Sequence, residues 1–216
     1  MDWQGTEQSP EVVFTAEEAL AMDRWLAEER GRPVEQLMAV AGARLAAAVR
    51  DRLAAGAGPR VVALVGPGNN GGDALVARDE LAPELPVAVW RPLAGDPIPP
   101  LDGGTLVIDG LFGVGLVRPV TGAAGEALAA VAASDARVLA VDVPSGLDAT
   151  SGRVLRGDDG AGTALPADWT LTFVGPKAGF FVADGPAHVG RWCAVDIGFP
   201  VDEVREWVRA RRAAAD

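Results

Sequence analysis

The sequence contains no tyrosine, one cysteine and one histidine among its 216 residues. The lone cysteine, Cys193, rules out an intrachain disulfide or a cysteine metal cage. Its strand-like setting between Trp192 and Ala194 reads as a core position. The lone histidine, His188, excludes a multi-histidine metal site, and its turn-like surroundings, Pro186 to Gly190, speak against a Ser-His nucleophile pair. Acid-base chemistry in this chain therefore falls to carboxylates, lysine or water. Lysine is scarce as well, since every basic residue except Lys177 is arginine. A compact ammonium in Gly175-Pro176-Lys177-Ala178-Gly179 reads either as a requirement of that position or as chance. No apolar run approaches the roughly 20 residues of a membrane span, and Met1-Asp2-Trp3-Gln4 lacks the basic and apolar parts of a signal peptide, so the expected location is cytoplasmic. A net charge of -11 argues against nucleic acid or an anionic membrane as the main partner, while leaving room for a small anion held locally.

What is present fits one domain over residues 1–216 with a sizeable core, since 49% of the residues are apolar. Residues 1–12 read as a loose lead-in. Thr15-Ala16-Glu17-Glu18 has capping-box spacing, and the apolar period that follows predicts a helix over 15–30. Gly31-Arg32-Pro33 breaks it, and Pro33 can start a second helix carrying Leu37, Met38, Ala41, Leu45 and Val49. Both helices are expected on one face of a sheet. Beyond residue 60, short apolar runs alternate with helical or turn segments, the pattern of a parallel sheet. The predicted strands are 61–65, 87–90, 105–108, 137–141, 169–174 and 191–195. Between Trp90 and Thr105 lies only a Pro- and Gly-rich linker, and 201–215 reads as a charged amphipathic helix.

The most informative stretch is Gly66-Pro67-Gly68-Asn69-Asn70-Gly71-Gly72-Asp73, at the end of the first strand and the start of a helix. Glycines there permit close approach of a ligand, and helix N-H groups attract anions. The stretch contains G-x-G-x-x-G, yet the strand Val87 to Trp90 ends without the carboxylate that would hold a ribose, which argues against a hydride-transferring dinucleotide site. Two more loops follow strands: Asp109 to Pro119, and Asp142-Val143-Pro144-Ser145-Gly146-Leu147-Asp148. In an open parallel sheet these ends share one crevice, gathering Asn69, Asn70, Asp73, Asp109, Asp142, Ser145 and Asp148. That set is rich in oxygen and suits a hard monovalent cation such as potassium better than zinc. Asp73 also reads as a plain helix-start residue and Pro144-Ser145-Gly146 as a plain turn, but Asp109 and Asp142 end apolar strands, where an unpaired carboxylate is costly.

Four ordered motifs carry a resemblance. Residues 66–73, Ile-Asp-Gly-Leu-Phe-Gly-Val-Gly-Leu at 108–116, Val-Asp-Val-Pro-Ser-Gly-Leu-Asp at 141–148 and Thr-Phe-Val-Gly-Pro-Lys-Ala-Gly at 172–179 resemble the NAD(P)H-hydrate epimerases, the YjeF N-terminal domain family. The resemblance spans roughly residues 12–200. It implies a Rossmann-like three-layer α/β/α sandwich with a mostly parallel sheet, often a homodimer in that family, that interconverts the R and S epimers of hydrated NADH and NADPH in nucleotide repair. It further implies substrate contacts at Asn69, Asn70, Gly71, Gly72 and Asp73, at Gly113, Val114, Gly115, Leu116, Val117, Arg118 and Pro119, and at Asp142 and Lys177. Potassium, one ion per subunit, would be held by Asn70, Asp109 and Ser145, and Asp142 would be the catalytic acid-base group. An NAD(P)HX dehydratase is the implied functional partner, and nothing after residue 200 resembles it. Two departures stand out: Ala74 replaces the family's glycine, and the segment 91–104 is short enough to open one wall of the pocket. A non-catalytic nucleotide-binding or scaffolding domain of the same fold is the alternative.

Overall fold

The computed structural model describes residues 1–6, 10, 12–198 and 201–214. The elements in chain order are α1 (Ala16–Glu28), α2 (Val34–Ala54), β1 (Arg60–Val65), α3 (Asn69–Leu81), β2 (Val87–Trp90), β3 (Thr105–Gly110), α4 (Gly122–Ala132), β4 (Arg137–Val141), β5 (Trp169–Phe173), α5 (Gly185–His188), β6 (Arg191–Val195) and α6 (Val201–Ala213). All six strands pair in parallel in the order β2-β1-β3-β4-β5-β6. The β-branched runs suit a parallel sheet buried on both faces. In β1, Val61, Ala63 and Val65 face a core completed by α2 and α3, while Val62 and Leu64 face one completed by α4. The irregular 145–168 connection adds Leu165 and Ala167 to the α4 side. Leu45 of α2 and Leu81 of α3 are fully buried, and truncating either to alanine would cost about 2–5 kcal/mol.

Each local signal has a visible physical partner. The Thr15 hydroxyl accepts from the Glu18 amide and the Glu18 carboxylate accepts from the Thr15 amide, so α1 starts on a complete capping box. Pro33 is the residue before α2, where its fixed φ suits a helix entry. The described part of the C-terminal segment is helical, with Val204 and Val208 buried and Trp207 stacked on Trp25 at 5.5 Å. Ala215 lies outside the described residues.

Two expectations change. Helix α1 does not share the sheet face with α2. Its Met22 and Leu26 pack with Leu37 and Ala41 of α2, Val174, Ile197, and Val204 and Val208 of α6, which places α1 beyond the carboxyl ends of the strands. The physical reason is that α2 and α3 already fill that face of the sheet. Part of the expected loose lead-in is anchored: Trp3 is buried with its indole donating to Asp51 at 2.9 Å, and Gln4 exchanges backbone hydrogen bonds with Trp192 of β6.

Candidate functional site

After β1 the chain moves to one edge of the sheet, and after β2 it returns to the other side of β1, so the strand order reverses between β1 and β3. A crevice forms at the carboxyl ends of strands at such a point. Here a cleft of about 410 Å³ opens, walled by the start of α3, the loop after β3, the ends of β4 and β5, and the inner faces of α1 and α2.

Glycines fix the two loops against each other. A Cβ on Gly66 would lie 1.7 Å from the Leu111 carbonyl oxygen, and one on Gly71 would lie 2.0 Å from the Gly66 carbonyl oxygen. The absence of a side chain at those residues therefore serves close contact between the start of α3 and the strand ends. Gly68, the residue that caps α3, has open space instead and lines the cleft. Ala74 is fully buried in the core between α3 and the sheet, and its methyl is accommodated there.

Beneath the cleft floor, the end of β3 meets the turn after β4. Asp109 is 0% exposed, and it accepts from the Ser145 hydroxyl at 2.6 Å, the Ser145 amide at 2.9 Å and the Leu111 amide at 3.3 Å. Burial pushes its pKa up, and the hydrogen bonds from Ser145 and Leu111 oppose that. Asp109 forms no salt bridge with a described residue. The Phe112 amide donates to the Ser145 hydroxyl at 2.9 Å, and Asn70 Nδ2 donates to the Phe112 and Val141 carbonyls at 3.2 and 2.5 Å. The Asn70 amide fits only because position 113 is glycine, whose added Cβ would meet Asn70 Oδ1 at 2.3 Å. Asn70 at the start of α3, Asp109 near the end of β3 and Ser145 in the turn after β4 are thus linked through Phe112 around a single carboxyl group. Among the described residues no group of three or more His, Cys, Asp or Glu has the arrangement of a metal site.

One strand further, Asp142 is held differently. It has φ of 63°, left-handed for a non-glycine residue, and the Val143 amide returns to the Val141 carbonyl at 2.8 Å, closing a γ-turn. Val174, at the end of β5, repeats the device with φ of 66° and a Gly175 amide to Phe173 carbonyl bond of 2.7 Å. Two adjacent strands thus end in sharp turns that aim their next residues at the cleft. Asp142 Oδ1 accepts from Lys177 Nζ at 2.5 Å, the Phe173 amide at 3.0 Å and the Thr172 hydroxyl at 3.1 Å. Oδ2 takes no hydrogen bond from a described residue. Lys177 is only 2% exposed and also reaches Thr172 Oγ1 at 2.9 Å and the carbonyls of Phe173 and Gly175 at 3.2 Å. Four oxygens around one small ammonium explain why the single lysine of an arginine-rich chain sits here, because a planar guanidinium would not match them.

Of the other residues expected in the site, Asn69, Asn70 and Asp73 line the cleft from α3, and residues 113–118 line it from the glycine-rich loop, with Arg118 exposed at its mouth. Gly71, Gly72 and Pro119 supply no lining; Gly72 packs against the Met38 side chain. Asp148 is turned away and accepts from the amides of Thr150 and Ser151 and the Ser151 hydroxyl, capping its own turn. His188 ends the short α5 with its Nδ1 2.8 Å from the Asp184 carbonyl oxygen, and Cys193 is buried in the core. Residues 91–104 contribute no lining to this cleft.

Sequence reasoning missed the helical wall. Ala19, Met22 and Asp23 of α1 and Leu37, Met38 and Ala41 of α2 line the cleft, giving it an apolar side. The signal was present: Asp23 sits four residues after Ala19 and three before Leu26, on the buried stripe of α1. Its pKa is pushed up to about 6, first by burial and then by the charge of Asp142, with Lys177 opposing. Asp73 is 6% exposed and has no hydrogen-bond partner among the described residues; burial, then Asp142, then Asp23 push its pKa up to about 8.

Comparison with known proteins fits this geometry. The sequence profile described as YjeF-related protein N-terminus matches residues 34–97 and 95–179. An NAD(P)H-hydrate epimerase of Bordetella pertussis is 41% identical over 203 residues, covering 84% of each chain. One from Limosilactobacillus fermentum is 34% identical over 212 residues, covering 86% of this chain and 97% of that protein. The bifunctional NAD(P)H-hydrate repair enzyme Nnr of Gloeobacter violaceus is 44% identical over 197 residues, which is 81% of this chain and 38% of that longer protein. The crystal structure of yeast ynu0, YNL200c, superposes with a TM-score of 0.59 at 19% identity, covering 87% of this chain and 94% of that one, and so shares the fold. With the profile matching well over half its length and two such relatives aligning across most of it, this chain belongs to the YjeF N-terminal family.

Proposed function

We propose that this chain is an NAD(P)H-hydrate epimerase, interconverting the R and S forms of hydrated NADH and NADPH. The observation that carries the reading is the Asp142–Lys177 pair at the wall of the cleft, with Asp142 Oδ2 unengaged beside the Asn-Asn-Gly-Gly-Asp and glycine-rich loops. Hydration of the dihydronicotinamide leaves C6 bearing a hydroxyl next to the ring nitrogen N1. The C6–O bond breaks as the N1 lone pair forms a C6=N1 double bond, and water then adds to C6 from the other face. Asp142 exchanges the proton with the C6 oxygen through Oδ2, while Lys177 and the Phe173 amide fix the carboxylate through Oδ1. The apolar side formed by α1 and α2 limits bulk water around the ring. The start of α3, which has no side-chain cap, offers amide donors to the nucleotide's phosphates.

The nest of Asn70, Asp109 and Ser145 would hold a potassium ion, because a fully buried carboxyl group with no basic partner among the described residues would gain a compensating charge there. Such an ion would brace the two loops that carry Asn70 and Gly113 and tune the field at the ring. The partner activity this chemistry calls for is a dehydratase that consumes one epimer, and the Gloeobacter relative, a bifunctional NAD(P)H-hydrate repair enzyme, supports that place in repair. The test is to incubate one purified epimer of hydrated NADH with the protein and follow the other by chromatography. A rate well above the spontaneous control is expected, and a rate equal to it would favour a non-catalytic binding module.

A further inference from the structure

The cleft holds a second carboxyl that this mechanism leaves unused. Asp73 lies on the first turns of α3, is 6% exposed, lines the cleft and has no hydrogen-bond partner among the described residues. With no partner from the described residues, that carboxyl is left to interact with whatever occupies the cleft it lines. Inversion at C6 needs proton traffic on two faces of the ring, since the hydroxyl departs from one and water arrives on the other. We propose, resting on the epimerase reading above, that Asp73 and Asp142 form a two-carboxyl acid-base pair, Asp73 serving one ring face and Asp142 the other. This goes beyond the substrate contact that family resemblance implies for Asp73.

In one direction the Asp73 carboxylic acid gives its proton to the C6 hydroxyl. The C6–O bond breaks, water leaves, and the N1 lone pair forms the C6=N1 bond. A solvent water then bonds to C6 on the opposite face, its proton passes to the Asp142 carboxylate, and the C6=N1 electrons return to N1. One water has left, one has entered, and one proton has moved from Asp73 to Asp142, to be restored by exchange with solvent. The reverse direction uses the same groups in exchanged roles.

The charged surroundings of the two carboxyls differ. Asp142 meets the Lys177 ammonium directly. Asp73 has no such partner. The other charged groups lining the cleft are Asp23 from α1 and Arg118 at the exposed mouth, α2 adds only apolar side chains, and Asp109 lies buried below. Burial, Asp142 and Asp23 together keep the Asp73 proton on up to about pH 8. Asp23 is then a positioning residue, acting through its charge on Asp73.

The test compares wild type, Asp73→Asn and Asp23→Asn in the epimer-interconversion assay over pH 6–10, with calorimetric binding of hydrated NADH as a second readout. Asp73→Asn should lower kcat at least about 100-fold while binding changes less than about threefold. Wild-type kcat should fall as pH rises through about 8, and Asp23→Asn, which removes a negative neighbour, should move that fall to lower pH by about half a unit or more. Melting curves check that both variants fold. An active wild type with Asp73→Asn within threefold of it, or an alkaline limb that Asp23→Asn leaves in place, overturns the two-carboxyl pair alone. A wild type no faster than the spontaneous control overturns the epimerase reading and the pair together.

Discussion

Asp109 and Asp142 end adjacent parallel strands, both are buried, and they are stabilised in opposite ways. Asp142 faces an ammonium at 2.5 Å and keeps one oxygen unengaged at the cleft wall. Asp109 is enclosed by a hydroxyl and two amides, forms no ion pair with a described residue and lies below the cleft floor. The difference underlies the proposal of chemistry at the first and of a cation at the second: Asp142 has an ammonium partner from the chain itself, and Asp109 has none among the described residues. Asp73 has neither device, and burial, then the charges of Asp142 and Asp23, push its pKa up to about 8.

The largest effect should follow from breaking the first arrangement at its reactive atom. Asp142→Asn retains the left-handed backbone, which asparagine tolerates, and should cut kcat by about 100-fold or more in the epimer assay with nucleotide binding nearly intact. Removing the counter-charge comes next. Lys177→Met leaves Asp142 buried and uncompensated and should cost about 3–5 kcal/mol in denaturant unfolding. Lys177→Arg should restore little of it, since the bulkier fork must fit the same enclosed site.

Asp73→Asn should do the reverse to stability. Below pH 4 Asp73 is protonated in both folded and unfolded states and contributes nothing. As pH rises from there the unfolded chain ionises while the folded one holds its proton to about pH 8, so wild type loses stability over that window. The variant should therefore be more stable than wild type by on the order of 2–4 kcal/mol at pH 7, with the gain vanishing near pH 4 in unfolding measurements. The smallest effect concerns the cation. Wild type should melt higher in potassium chloride than in choline chloride by roughly 1–3 kcal/mol equivalent, and Asp109→Ala should lower activity and abolish the difference. An unchanged potassium response in that variant would count against the nest as an ion site.

The strands were legible because β-branched runs bounded by turn residues leave little choice in a sheet buried on both faces; the observed bounds at Val87–Trp90, Arg137–Val141 and Arg191–Val195 match the expected ones. The strand-end loops were legible for the same reason, and Asn70, Asp109 and Ser145 do converge. Less visible was what depends on the third dimension. Gly66 and Gly71 looked like ligand contacts because glycine permits close approach, but the partner that approaches is backbone. Asp148 shared a loop with Asp142, yet local amides nearer in sequence satisfied it. Asp23 went unread because α1 was placed on the sheet face, where its stripe would have met core rather than substrate.

The central claim is that inversion proceeds by breaking and remaking the C6–O bond at Asp142. Running the interconversion of a single epimer in water enriched in oxygen-18, and reading the mass of the inverted product at early times, tests it most directly. The account predicts one solvent oxygen in every inverted molecule, formed at the enzymatic rate and lost with Asp142→Asn. Inverted product that retains its original oxygen would contradict it.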